Sequence, residues 1–577
     1  MSEEASKLPK DIAAAEGKVN VQINGTWHRF PRGTRIADAC RSVGVPIPCF
    51  CYHPKLAVGS CRMCMVEQGM PPRLAPGQTP SYDENGYQRI QWMPRPIISC
   101  ANTVAENMGI RTDSPLASEA RRGVMEFLLT SHPLDCPICD QAGECKLQEY
   151  SNDYGQVEGR YEEKKTKKGK NLSIGPRVNL DQERCVLCGR CVRFMRDIMH
   201  DEVLTMAQRG TFNAITVYPG RELDSNYSLN TVDLCPVGAL TSKDFRFKMR
   251  VWFLKETKTI DVDCGTGTNI ILWTREDKVY RITPRPNDAV NSCWMPDSHR
   301  LNYKYINAET RIPQPVIRTD AGAPHRPSTW EPALASVTEA VKRVAPHQLA
   351  IIASGRMTNE ELYMVRHLAA QIGTDMVDIV PRMGESDGML IAADRNPNTN
   401  GAKLVLGIEP GSRLAAIRDG VRNGSIKGIL TLGEDLTAPE AGFTAEDLKK
   451  LDYLFMTAHS VNETARHADL VLPGVTFAEK FGTMINVTGR IQRLNRAIQP
   501  VGYARDDWQI LRDITLLLGG NPALKDFNSA LDILTVMSTE YSALNGVTWG
   551  SIGDGGQPIL ETDVTIPVVE REKSQGR

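Results

Sequence analysis

The position of the cysteines constrains this chain more than any other feature. All 15 come before Trp294. Most of them, joined by one histidine, fall into three consecutive groups of four soft ligands. The first group is Cys51, Cys61, Cys64 and Cys100. The second is packed into S-H-P-L-D-C-P-I-C-D-Q-A-G-E-C, where His132, Cys136, Cys139 and Cys145 lie within Ser131–Cys145. The third is Cys185, Cys188, Cys191 and Cys235, with Pro236 following. Thiolates and an imidazole at this density suit iron or zinc. A disulfide framework would be odd in a chain of 577 residues with no export signal, so ligation in a reducing compartment is the better account. Three such stations in series look like an electron relay.

The bulk numbers narrow the partners. Lys+Arg 68 against Asp+Glu 69 leaves a net charge of -1, which offers no overall basic field for nucleic acid. A hydrophobic share of 41% is enough for packed cores, and no apolar run reaches the length of a spanning helix. A soluble or peripheral protein is expected.

Around the first station, Val19–Ile23 alternates, Asn24-Gly25 is a hairpin signal and Thr26–Phe30 returns as a second strand. Thr34 is a candidate cap for a helix carrying Ile36, Cys40 and Val43. Strand, hairpin, strand, helix and then a cysteine loop is how plant-type ferredoxins begin. The C-x2-C pair Cys61/Cys64 with two outlying thiols fits a [2Fe–2S] site, with a structural zinc site as the alternative. Gly69–Pro96, rich in Pro and Gly, reads as a surface insertion. Cys40 reads as core, and Cys49 is left out because four better-placed thiols exist.

At the second station, His132 is either a ligand or a loop-capping neighbour of a site with three cysteines. As a ligand, a neutral imidazole in place of a thiolate makes the site less negative, which raises the potential of Rieske centres. The third station is informative through what is missing. Bacterial two-cluster ferredoxins carry C-x2-C-x2-C-x3-C-P twice, each fourth Cys serving the other cluster. Here Met195 stands at the fourth position after Cys185, Cys188 and Cys191. Counting back from Cys235 gives Thr231, Ser228 and Ser225. One cluster is erased, and the four surviving ligands are those of a single [4Fe–4S] cluster. The charged run Glu158–Lys170 reads as a solvated loop.

The motifs F-C-Y-H (Phe50–His53), C-R-M-C (Cys61–Cys64), H-P-L-D-C-P-I-C-D (His132–Asp140), R-C-V-L-C-G-R-C-V-R-F (Arg184–Phe194) and C-P-V-G-A-L (Cys235–Leu240) occur in that order. Together they resemble the large iron–sulfur subunit of respiratory complex I (NADH-quinone oxidoreductase), the 75 kDa subunit of the mitochondrial enzyme. The resemblance is dense over Val19–Arg250 and weaker to about Leu516. It implies one [2Fe–2S] cluster and two [4Fe–4S] clusters, one of them His-ligated, with the twelve residues above as iron ligands. It also implies a flavin/NADH-binding partner and other peripheral-arm subunits, with NADH and quinone met only indirectly. The implied location is the cytoplasmic side of a bacterial inner membrane, held there through partner subunits.

Some members of that family carry a fourth four-Cys site in the next segment. In this chain, if Cys264 takes the middle ligand's place, its companions fall on Asp261 and Thr268, and Pro296 replaces the fourth Cys. A fourth cluster is therefore not expected, and Cys264 and Cys293 read as packing thiols. Beyond Gln348 short apolar runs alternate with helical ones. Leu349–Ala353, Leu404–Ile408, Ile429–Leu432 and Tyr453–Thr457 read as strands, and Asn359–Ile372 and Ser412–Arg422 as helices. No dinucleotide or P-loop motif is present. Ala468–Pro473 and Glu479–Gln492 resemble the molybdopterin oxidoreductase fold, and the family resemblance implies a scaffold that has lost that cofactor.

The expected fold class is multidomain α+β and α/β. The expected division is an arm over 1–18, a ferredoxin-like β-grasp domain over 19–115, a [4Fe–4S] domain with one His and three Cys ligands over 116–158, and a ferredoxin-like [4Fe–4S] domain over 159–252. A degenerate fourth-cluster segment then covers 253–312, a molybdopterin-oxidoreductase-like α/β domain without cofactor covers 313–569, and a polar tail covers 570–577. The leading function is an electron-wire subunit of proton-translocating NADH:quinone oxidoreductase without a substrate site of its own. The competing function is the iron–sulfur/molybdopterin subunit of an NAD-linked formate dehydrogenase. An iron-only hydrogenase needs further cysteines beyond about residue 300, and none exist.

Overall fold

The computed structural model describes residues 17–56, 59–83, 86–318 and 323–574. The chain divides between Trp252 and Phe253 into two units, each with its own contacts. Residues 1–16 of the expected arm lie outside the described residues, and by Lys18 the chain is already in a strand.

The first unit opens with β1 (Lys18–Ile23) and β2 (Thr26–Pro31), antiparallel with Ile23 opposite Thr26. The turn places Asn24 at φ 47° and Gly25 at φ 88°, the two positive values a tight hairpin with right-handed twist requires. Helix α1 (Ile36–Ser42) buries Ile36, Ala37, Ala39 and Cys40. Thr34 does not cap it. The residue before the helix is Arg35, without a side-chain cap, and the Thr34 hydroxyl donates instead to Pro31 O at 2.7 Å. Strands β3 (Met65–Met70), β4 (Gln91–Trp92), β5 (Ile97–Ile98) and β6 (Met108–Arg111) complete a mixed sheet in the order β2-β1-β6-β3-β4, with β5 paired to β3 and with β1 and β6 parallel. The expected insertion Gly69–Pro96 therefore begins and ends inside this sheet, since Gly69 pairs with Trp92, and only the middle is surface loop.

Helix α2 (Pro115–Leu129) starts at Ser114, whose hydroxyl accepts from Ala117 N, and its first turn takes a proline where no donor is needed. The charged run that follows is partly structural rather than merely solvated. Lys165 Nζ donates to Leu129 O (2.7 Å) and Thr130 O (3.1 Å) at the end of α2, where a cation meets unsatisfied carbonyls. Lys168 Nζ reaches Asn213 O at 2.7 Å, and Lys170 Nζ reaches Asp135 and Asp181.

In the second unit Lys255–Ile260, Asn269–Arg275 and Lys278–Pro284 form an antiparallel meander. It precedes a seven-stranded sheet whose order is Arg326–Pro327, Val316–Ile317, Leu470–Pro473, Tyr453–Ala458, Gly428–Leu432, Leu349–Ala353, Val377–Ile379. The last five are parallel and almost wholly buried, as strands covered on both faces must be, and helices cover them. The Asn359–Ile372 helix has a full capping box, Thr358 with Glu361, and ends at Gly373 with φ 79°. Leu404–Ile408, expected as a strand, is instead the end of the helix Thr399–Leu406, closed by Gly407 at φ 67°. The polar tail enters a helix. Pro567–Ser574 is a helix that buries Val568, Val569 and Glu572, and the Glu572 carboxylate accepts from Ser292 Oγ (2.6 Å) and Trp294 Nε1 (2.9 Å).

Candidate iron–sulfur centres

The first group of thiols sits where the β-grasp loop returns to the sheet. Cys51, Cys64 and Cys100 are buried, and Cys61 is half-buried. Their side chains are linked in sequence, Cys61 to Cys51, Cys51 to Cys100 and Cys100 to Cys64. The Cys51 sulfur also accepts from Cys61 N at 3.4 Å. Hydrogen bonds from Cys100 and then Cys61 hold the Cys51 thiol far below its ordinary range, and Cys100 brings Cys64 down to about 6. Arg62, at φ 63°, supplies the sharp bend that lets both cysteines of C-x2-C face one centre.

The second group is carried by the loop between α2 and the helix Lys146–Tyr154. A single helical turn spans Cys136–Ile138, and Cys145 stands immediately before that helix. Cys139 is buried, Cys145 half-buried and Cys136 exposed. Burial drives the His132 imidazole down to about 4, which keeps it neutral and so in the form that can ligate a metal. The loop is pinned from outside by Arg184, which clasps Asp135 at 2.7 Å, and by Arg250, whose guanidinium donates to Cys139 O at 2.5 Å and to Pro137 O.

The third group lines one small pocket, where Cys185, Cys188, Cys191 and Cys235 meet among otherwise mostly apolar residues. Gly189, at φ 69°, turns the chain between Cys188 and Cys191. Burial pushes Cys185 up to about 11 and Cys235 up to about 12, and raises Cys188 and Cys191 as well. A bound cation would reverse that bias, because its own charge favours the thiolate. The positions left by the erased motif are closed over, with Met195, Ser228 and Thr231 all fully buried and the Thr231 hydroxyl donating to Ser228 O at 2.7 Å.

The donor spacing bears on zinc. A tetrahedral zinc ion with bonds of about 2.3 Å holds its sulfurs about 3.8 Å apart. Among the described residues, the one group of three or more His, Cys, Asp or Glu donors with all ligand atoms within 4.8 Å of one another is Asp261, Cys264 and His299. No three donors of any one of these sets lie that close together. The fourth segment is different in kind. Its cluster register retains one thiol, Cys264, and Pro296 only begins the short helix Asp297–Arg300, so it does not fit a four-thiolate group. His299 was not singled out from the sequence, because it lies far along the chain from Cys264 and carries no motif.

The three sets share one apolar core. Phe50, Cys51, Met63, Met125, Leu147, Cys188, Val237 and Ala239 pack together, with Cys61, Cys145, Cys185 and Cys235 against them. Arg193 ties two of the sets directly, donating to Cys51 O (2.6 Å) and Cys188 O (3.1 Å). Gly238 ties the other pair, since a Cβ built on it would lie 2.2 Å from Cys139 Sγ.

Successive thiol-lined centres sharing one core define a class of protein that conducts electrons. Family models agree along the chain. A 2Fe-2S iron-sulfur cluster binding domain matches 16–115, and an NADH-ubiquinone oxidoreductase-G iron-sulfur binding region matches 121–160. The ferredoxin-like domain of NADH-quinone oxidoreductase subunit 3 matches 175–241, an NDSU1/NuoG-like 4Fe-4S domain 254–304, and molybdopterin oxidoreductase 388–515. Candida albicans has a mitochondrial NADH-ubiquinone oxidoreductase 78 kDa subunit that is 30% identical, across 89% of this chain and 84% of the relative. The corresponding G-type subunit of the Rickettsia bellii NADH-quinone oxidoreductase is 31% identical, across 87% of this chain and 72% of the relative. The chain belongs to the family of large iron–sulfur subunits of complex I. It is an electron-transfer subunit of NADH:quinone oxidoreductase with 2Fe-2S and 4Fe-4S binding domains, and it works with other subunits of that complex. Among the described residues no helix is long and apolar enough to cross a membrane.

Proposed function

We propose that this chain carries three clusters and no more. Cys51, Cys61, Cys64 and Cys100 hold a [2Fe–2S] cluster; His132, Cys136, Cys139 and Cys145 hold one [4Fe–4S] cluster; Cys185, Cys188, Cys191 and Cys235 hold the other. When bound, these groups supply one-electron redox steps at potentials that their surroundings tune. The chain's own residues fix where the electron can reside and exclude water. Arg193 and Arg184 place positive charge beside successive stations, which favours the electron's arrival. The electron enters from a flavin/NADH-binding partner subunit and leaves towards quinone, on the cytoplasmic side of the membrane. The apolar core common to all three sets carries this reading, because it packs residues of each set against the same side chains.

The second half is a scaffold in this reading, holding neither a fourth cluster nor molybdopterin. Its support is the way the buried asparagines bond within the fold. Asn398 Nδ2 donates to Asn359 Oδ1 (3.0 Å), Asn359 Nδ2 to Thr483 Oγ1 (2.9 Å) and Asn486 Nδ2 to Thr266 O (3.0 Å). The close approaches that glycines would offer a ligand are filled by side chains. A Cβ on Gly401 would meet Asn359 Oδ1 at 2.0 Å, and one on Gly355 would meet Asn396 Cγ at 2.3 Å.

The test is Cys188→Ala in the assembled complex. Of the complex's iron, the share of this chain, about ten, should fall to about six, NADH oxidation by artificial acceptors should persist, and quinone reduction should collapse. Quinone reduction at the parent rate with iron lost would overturn the relay. An iron count near fourteen in the parent would put a cluster back into Ile260–Asp297, and stoichiometric molybdenum would favour the formate dehydrogenase alternative.

A further inference from the structure

The segment that lacks the cysteines for a fourth cluster still brings three metal-type donors together. Asp261, at the end of the meander's first strand, Cys264, in the turn that follows, and His299, in the short helix Asp297–Arg300, are all buried, and their ligand atoms lie within 4.8 Å of one another. His299 Nδ1 stands 2.7 Å from Asp261 Oδ2. Asp263, beside them in sequence, is held elsewhere, both its oxygens accepting from Asn302 Nδ2 at 2.9 Å.

We propose that Asp261, Cys264 and His299 form a mononuclear site for a thiophilic divalent cation of the zinc class, on the ground a cluster would otherwise take. Bonds of about 2.0–2.1 Å to nitrogen, 2.0–2.2 Å to oxygen and 2.3 Å to sulfur put tetrahedral ligands about 3.4–3.6 Å apart. The imidazole–carboxylate pair therefore opens by about 0.7 Å from its 2.7 Å spacing, and the widest pair closes by at most about 1.4 Å from the 4.8 Å limit. Side-chain rotation covers both movements. The charges also close, since a carboxylate and a thiolate neutralise a dication and the buried site then carries no net charge. Cys264 Sγ gives up only a 3.8 Å contact to Leu390 O.

A second observation comes from Thr268. It occupies the third position of the old cluster register, is almost wholly buried, and its hydroxyl has no hydrogen-bond partner among the described residues. Its carbonyl accepts from Asp261 N at 2.8 Å, which sets it next to Asp261 at the end of the ladder. A neutral hydroxyl with free lone pairs is a donor a cation site can use, whereas a cluster needs a thiolate. Three protein ligands leave a fourth position for water or for this hydroxyl.

This site is independent of the three-cluster relay, and its readout is zinc, not turnover. The intact complex is treated with chelator, reloaded with Zn2+ alone, desalted and assayed for zinc and iron. The parent should retain one more zinc per complex than Cys264→Ser and than Asp261→Asn, with iron equal in all three. Zinc K-edge absorption should show one sulfur at about 2.3 Å with a nitrogen/oxygen shell at about 2.0–2.1 Å. Asp261→Asn is near-isosteric and decides the matter if Cys264→Ser fails to assemble. Equal zinc in the parent and the assembled variants, or a zinc shell without sulfur, would overturn the site and leave the relay untouched.

Discussion

Gly238→Ala makes a severe demand of a small change. The new Cβ would sit 2.2 Å from Cys139 Sγ and 3.1 Å from Gln141 Cβ. Carbon and sulfur in ordinary contact keep well over 3 Å apart, so one of them must retreat by more than an ångström. Metal–ligand distances tolerate only about 0.2 Å, and Cys139 is already tethered through its carbonyl to Arg250. Overpacking of this kind costs about 1–3 kcal/mol, too little to unfold the unit but enough to displace one ligand. The expected outcome is selective. Iron should fall by about four per complex, the His132 centre's spectral signature should vanish, and the other two centres should remain. The assay is an iron count with low-temperature electron paramagnetic resonance on the reduced complex. Gly123→Ala in α2, where an added Cβ meets nothing within 4 Å, serves as the control and should stabilise the helix slightly. A Gly238→Ala complex with full iron and unchanged spectra would refute the packing of the third-station loop against Cys139.

Arg193→Met removes the donor to both Cys51 O and Cys188 O, leaving two carbonyl acceptors short of a partner. At about 1–3 kcal/mol each the first unit should lose about 2–6 kcal/mol, and both adjoining centres should titrate at more negative potentials. Parent-like potentials would show that the guanidinium does not act on the centres. Glu360, buried and only partly compensated by Thr483 N and Oγ1 at 2.8 Å, is raised by burial to about 7. Between its unfolded value near 4.5 and 7 the folded form keeps a proton that the unfolded form has released, so stability falls as pH rises through that window, by at most about 3 kcal/mol. Glu360→Gln should flatten the fall in thermal midpoint of the second unit between pH 5 and 8, and an unchanged slope would count against the assignment.

The sequence showed most clearly what local chemistry decides. The Asn24-Gly25 hairpin could be read because its turn needs two positive φ values, and Asn359–Ile372 because Thr358, Glu361 and Gly373 mark both ends. Leu404–Ile408 could not, since a short apolar run fits a strand or a buried helix end equally well, and Gly407 decided it only through its left-handed conformation. The Thr34 hydroxyl had a nearer acceptor in Pro31 O than any helix donor. The ligand groups could be picked out by spacing, yet nothing local announced that Gly238 would abut Cys139 or that His299 would reach Asp261. Those meetings depend on tertiary packing between distant segments. The same is true of the tail, where Glu572 turns inward to Ser292 and Trp294.

The contact between Glu572 and Trp294 has a consequence for timing. The two residues are 278 positions apart, so at about 5–20 residues per second a ribosome separates their appearance by roughly a quarter to one minute. For that interval the Trp294 indole N–H lacks the acceptor it has in the finished fold. The first unit has no such wait, since every ligand set and every arginine that braces one is synthesised before residue 253. Its centres can be filled while the second unit is still being made, and a nascent chain stalled near residue 300 should already be brown.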